Sequence, residues 1–267
     1  MSTGKGGFPK IPQAAGGNVW ARGRIGVGEV MGMVGRLVLA GGKGRFRLVE
    51  DRLGPLEAVR AAVYAPEGLA PWRLWRRLRR AERALVQAGA GRVVLGADFP
   101  YRDRLALLRP VDVLPLRRGC ADVLALGALA AEGVPPRRGR VALSAPRLCP
   151  ELERAAERLC PQVRGLLIDA PGGGEYARYL QARFGLPVTP PAAGADVTAA
   201  FGPEGGRWGR SVELYEGGTL NGLVLAAEGI ELPPDCAEQV LALLWERGEV
   251  GREELGVRLV GGALFPH

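Results

Sequence analysis

RVALSAPRLCPELERAAERLCPQVRGLLIDAPGGGEYARYLQARFGLPV, residues 140–188, reads as strand, helix, strand, glycine turn, helix and strand. VALSA and GLLID are apolar runs too short for helices and are bounded by Pro and Gly, as buried strands are. PELERAAERLC between them begins with Pro150 in its first turn and carries Glu151 and Glu153 near its positive end, both favourable helix placements. Alternation at this spacing requires parallel pairing through right-handed crossovers.

The same rhythm extends in both directions. RVVLGAD (92–98) and VDVLPL (111–116) read as earlier strands, ADVLALGALAAEG as a buried helix, and DVTAAF as a later strand. The sequence therefore predicts an α/β, Rossmann-like three-layer fold with a mostly parallel sheet, most securely over residues 119–232. In front of it, RLVLA (36–40) and RFRLV (45–49) flank GGKG and predict an N-terminal β-hairpin, with EAVRAAVYA (57–65) as a third strand. PWRLWRRLRRAERALVQAG follows as a helix with Leu74, Trp75, Leu78, Ala81 and Leu85 on one face. After the loop GPEGGRWGR, SVELYEG and GLVLAAEG suggest an antiparallel excursion at the sheet edge. The end reads as a helix over 233–248, an N-cap at Gly251 and a second helix, which leaves no room for the third helix or wing of a DNA reader. Three regions follow: 1–32, a disordered tail or a stretch before the true start; 33–118, a basic α/β region; and 119–260, the Rossmann-like region with C-terminal helices.

Composition narrows the class. The 267 residues are 47% hydrophobic and 24% charged, an ordinary globular balance. No apolar run nears the roughly 20 residues of a membrane span, and the N-terminus lacks the apolar core of a secretory signal, so a cytoplasmic protein is expected. Cys120, Cys149, Cys160 and Cys236 form no CxxC pair, and His267 is the only histidine. That argues against a zinc site, and against Ser/His or Cys/His nucleophilic catalysis. The four are read as reduced thiols, with no metal site assigned. The net charge of +8 is uneven: residues 33–140 carry 21 Lys+Arg against 10 Asp+Glu, and residues 141–267 carry 11 against 17. A basic half and an acidic half result.

Gly172, Gly174 and Ala177 match GxGxxA, the spacing of a dinucleotide-binding turn, between a strand and a helix as that motif requires. The acid that should close the next strand is missing, since Thr189, Pro190 and Pro191 stand there. Glu175 would compete with an anion for the helix N-terminus. Position along the sheet is the stronger argument. Ligands of open α/β sheets bind beyond the strand carboxyl ends, and Asp98, Ser144, Asp169 and Glu204 stand at or after four of them. With Gly172, Gly173 and Gly174 they make a candidate site for a small anionic or nucleotide-like metabolite, of unspecified cofactor and reaction. The alternative is a non-enzymatic interaction or regulatory protein whose helix 71–88 docks an acidic protein or nucleic acid through Arg73, Arg76, Arg77, Arg80 and Arg83.

Overall fold

The strands of the computed structural model divide between two parallel-rich sheets and a small antiparallel one. It describes residues 32–96, 99–185, 194–260 and 264–265. The expectations for the N-terminal tail and for a strand at 186–190 lie outside these residues.

The first sheet has the order β2-β3-β1-β4-β5, with β1 Val34–Ala40, β2 Phe46–Leu53, β3 Leu56–Tyr64, β4 Arg92–Leu95 and β5 Arg109–Pro110. β1 runs parallel to both β3 and β4. An N-terminal hairpin is present, but it joins β2 to β3, with Leu53 opposite Leu56. Gly54 takes the left-handed conformation there (φ 62°). GGKG instead carries the chain from β1 past the place of β3 to β2, with Gly42 and Gly44 packed on the Tyr64 ring. Both glycine segments supply positive φ; the shorter Gly-Pro link makes the tight turn.

Helix α1 (Pro71–Gln87) buries Leu74, Leu78, Ala81 and Leu85 against Leu37, Val59, Ala61 and Val63 of this sheet. Trp75, expected on that face, remains 39% exposed. Glu82 is buried, and its Oε1 accepts the N–H groups of Ala106, Leu107 and Leu108 at 2.8, 2.6 and 3.0 Å. A buried carboxylate requires such donors. The contact locks α1 to the following loop.

VDVLPL does not form a strand. Asp112 Oδ1 accepts the Leu114 N–H at 2.9 Å, and Pro115 falls in the first turn of α2 (Leu114–Gly119), so the segment turns into a helix. β5 is thus two residues at an edge, where Pro110 has no N–H to offer, and the sheet stops.

The second sheet has the order β7-β6-β8-β9, parallel throughout: β6 Arg140–Ser144, β7 Gly165–Asp169, β8 Val197–Ala200 and β9 Arg210–Glu213. Helices α4 (Pro150–Leu159) and α5 (Gly173–Phe184) follow β6 and β7. This is the Rossmann-like portion. β9, expected to be antiparallel, pairs parallel with β8. The antiparallel part is a separate sheet of β10 (Leu223–Ala227), β11 (Leu255–Leu259) and β12 (Leu264–Phe265). α6 (Ala237–Glu246) lies between β10 and β11 in the chain. The predicted terminal helix is β11: the Gly251 N–H donates to Glu254 Oε2 at 2.6 Å, but the turn it caps ends at Glu254.

Helix α3 (Ala121–Ala131) has all residues from Ala121 to Leu129 buried. A helix apolar on every side belongs inside a core, and α3 packs against β8, β9, β11 and α4. Buried Asp122, in its first turn, is paired with Arg252 and lies 3.8 Å from Arg158, tying the 252–254 turn and α4 to it. Among the described residues, no helix is long and apolar enough to cross a membrane.

Two predictions follow from the core. A Cβ at Gly127 would lie 2.6 Å from Val257 Cβ, so Gly127→Ala should cost about 1–3 kcal/mol by overpacking. Chemical denaturation of Gly127→Ala, Val257→Ala and the double variant should show the double losing less than the sum; additive losses would refute this contact. Burial raises the Cys120 thiol to about 12, and the Cys160 and Cys236 thiols to about 11. The unfolded chain ionises its thiols first, near 9, so stability should fall as pH rises from about 9 to 11. Denaturation midpoints that stay flat through that window in the wild type, or that fall equally in a Cys120→Ala/Cys160→Ala/Cys236→Ala variant, would contradict it.

Candidate functional site

In each parallel-rich sheet the chain reverses its direction of travel once, leaving a crevice beyond the carboxyl ends of two neighbouring strands. In the second sheet the reversal lies between β6 and β8, and in the first between β1 and β4. The two crevices are treated differently.

Ser144 and Asp169 are register partners at the ends of β6 and β7. Ser144 is fully buried, and its Oγ–H donates to Asp169 Oδ2 at 3.2 Å. The same carboxylate oxygen accepts the Gly206 N–H at 2.6 Å. The loop after β8 therefore runs back across the rim instead of directly to β9. Its fit is close: a Cβ at Gly202 would lie 2.6 Å from the Pro146 ring, and one at Gly205 would lie 2.1 Å from Ser144 Oγ and 3.0 Å from Asp169 Oδ2. Gly205 has φ 104°, a conformation open only to glycine. Arg207 holds the loop from behind, donating to the carbonyl oxygens of Gly202 at 2.7 Å and Gly206 at 3.2 Å. Thr198 Oγ1 accepts the Trp208 N–H at 2.8 Å and donates to the Trp208 carbonyl at 2.7 Å.

Ser144 and Asp169 are thus brought together as the sequence suggests, with a backbone N–H of their own chain between them. Glu204 is on the exposed side of the loop. The glycines have conformational and packing roles. Gly172 is left-handed at the N-cap of α5 (φ 78°), and a Cβ at Gly173 would lie 2.9 Å from Ile168 Cγ2. Gly174 faces open space, and exposed Glu175 lies 3.9 Å from Arg178. Asp98 lies outside the described residues; the strand before it, β4, belongs to the other sheet.

The crevice of the first sheet is open. A cavity of about 350 Å³ lies at the end of β4, with Leu95, Phe99, Val113 and Val224 as apolar walls. The first turn of α6 forms another wall through Ala237, Glu238 and Gln239. The side chain of Gln239 imitates a strand neighbour: its Oε1 accepts the Leu95 N–H at 3.0 Å and its Nε2 donates to the Leu95 carbonyl at 2.6 Å. Both acids of the lining are matched. Arg117 forks onto Glu238 at 2.6 and 2.7 Å, and Arg36 of β1 donates to both oxygens of Asp235 at 3.0 and 2.9 Å. Arg102 differs. It donates to the Val111 carbonyl at 3.2 Å and, among the described residues, has no carboxylate within ion-pair distance. Burial, with Asp235 facing it, pushes the Cys236 thiol up to about 11, so it lines the cavity in its neutral form.

Tyr101, Arg102 and Asp103 form a polar cluster in the sequence just after β4, but Arg117, Asp235 and Gln239 are joined to it only by folding. Their one sequence signal is the position of Asp235 and Glu238 at the start of a predicted helix.

No family model matches the chain, and no curated protein does. Among solved structures it is similar to the L-tryptophan dehydrogenase of Nostoc punctiforme, at 16% identity and a TM-score of 0.28, over 63% of this chain and 56% of the dehydrogenase. The chain spans little more than half the length of that enzyme.

The closed rim yields a sharp expectation. Gly205→Ala forces a Cβ into Ser144 and adds backbone strain, and should cost about 2–4 kcal/mol, whereas Ser144→Ala should cost about 1 kcal/mol. Urea titrations showing Gly205→Ala as stable as wild type would mean that the loop does not sit on the rim.

Proposed function

We propose that the protein binds a small anionic metabolite at the carboxyl end of β4, between that strand and the first turn of α6. The observation that carries this reading is the contrast between the two crevices: one is filled by the chain's own glycine loop, the other holds a 350 Å³ cavity. That volume lies within the usual range of ligand pockets, about 300–1,000 Å³. Apolar walls and a guanidinium that has no carboxylate partner among the described residues favour a ligand with a compact hydrophobic part and a carboxylate or phosphate. Ser144 and Asp169 support the fold of the neighbouring sheet in this reading, and Asp98, between Gly96 and Phe99 in the chain, is kept as a candidate contact.

Thermal-shift measurements with millimolar carboxylates, phosphate monoesters and nucleotides, with and without Mg²⁺, test the proposal. A binder should raise the midpoint by about 3 °C or more. Arg102→Ala should remove most of that shift, and Val113→Trp, which fills the cavity, should abolish it. No shift with any of these compounds, or shifts that both variants retain, would overturn the reading.

A further inference from the structure

The exposed face of α1 is a second feature, separate from the cavity. Arg73, Arg76, Arg79, Arg80 and Arg83 are exposed along it, and Arg77 is half-buried with one N–H on the Tyr64 carbonyl. Arg45 and Arg104 flank the helix and line the grooves on its two sides, of about 220 and 300 Å³. Among the described residues none of these eight guanidiniums lies within ion-pair distance of a carboxylate, although eleven ion pairs form elsewhere among those same residues. The only acid on α1, Glu82, is buried and occupied by three backbone N–H groups. Six like charges on a helix about 25 Å long, with two more beside it, repel one another. A polyanion would relieve that repulsion.

Two tryptophans decide which polyanion. Trp72 is 53% exposed and borders both grooves, and Trp75 is 39% exposed in one of them. Arg73 and Arg76 lie over the Trp72 ring at 5.2 and 5.9 Å, and Arg104 over the Trp75 ring at 4.7 Å. Flat apolar rings carrying guanidinium planes offer nothing specific to carboxylates. They match unpaired bases, which stack on aromatic and guanidinium faces while arginines follow the phosphates. The buried apolar face of α1 packs on the sheet, so a lipid surface would meet the arginines with two tryptophans and Val86 among them, less apolar surface than an inserting helix presents. We infer that α1 is a docking surface for single-stranded nucleic acid, read by charge and stacking without sequence specificity.

Fluorescence anisotropy of the full chain with labelled 20-mer deoxythymidine and uridine oligonucleotides, over 50–300 mM salt, tests the inference. Binding should weaken with a log–log salt slope steeper than about −2.8, the value for four neutralised phosphates. Arg76→Gln/Arg79→Gln/Arg80→Gln should flatten the slope by about 2 units. Trp72→Ala, an exposed position whose loss leaves the melting temperature unchanged, should weaken binding at least about five-fold. No binding of either oligonucleotide at 50 mM salt would overturn the inference. So would affinity indifferent to Trp72→Ala, or displacement by polyglutamate at equal charge concentration, which would mark an acidic-polypeptide site. Duplex DNA bound as tightly as the single strands would also refute it.

Discussion

Beyond its last ladder bond, a parallel strand leaves backbone groups that need partners. Each of the two parallel-rich sheets meets this constraint at the crevice where its chain path reverses, and the two answers organise much of the molecule. In the second sheet the answer is local: the residues just past the strands donate to the last carbonyls, Ala145 N–H to Asp169 and Phe201 N–H to Ser144, and the loop leaving β8 then lies on the rim with the Gly206 N–H on the Asp169 side chain. In the first it is remote: Gln239, more than a hundred residues along the chain, presents an amide to both polar groups of Leu95. A loop of glycines can lie flat on a rim; a helix held off by one side-chain amide cannot. The difference in thickness between those two closures leaves a cavity at one crevice and a loop seated on the rim at the other.

The electrostatics follow the same division. Charges that hold elements together are paired and partly or wholly buried: Asp122 with Arg252, Arg117 with Glu238, Arg36 with Asp235 and Asp51. Such pairs stabilise little by themselves, but removing one partner strands the other charge. They therefore fix how α6 and the 252–254 turn sit against the sheets. The arginines of α1 take no part in this network, so altering them leaves the fold's internal charge balance untouched.

Strands and helices of residues 140–184 were legible because Pro, Gly and apolar runs punctuate them at fixed intervals, and the parallel α/β class followed from that alternation. Where two signals competed, pattern could not choose. GGKG and LGPL both offer a glycine turn, and only the insertion of β3 between β1 and β2 decides which makes the hairpin. VDVLPL has a strand's alternation, but Asp112 and Pro115 commit it to a helix start. GVRLV followed a helix-start signal, the Gly251 N–H on Glu254, and still became β11, paired with β10. At the rim of the second sheet, Ser144 and Asp169 could be placed from their positions at the ends of two legible strands. Arg117, Asp235 and Gln239 could not, since nothing in their local sequence says that α6 will be laid across the end of β4.

The position of β11 has a further consequence. Val257 packs against Gly127, so the strand that covers α3 lies between Leu255 and Leu259, beyond every element of the two parallel-rich sheets. During synthesis the helix at 121–131, apolar but for Asp122, emerges long before its cover does. Both sheets can pair while the nascent chain still displays that helix on one side, and contacts of such long sequence separation form slowly. The interval between translation of α3 and arrival of β11 is thus the stage at which this chain is most open to self-association, and to capture by chaperones.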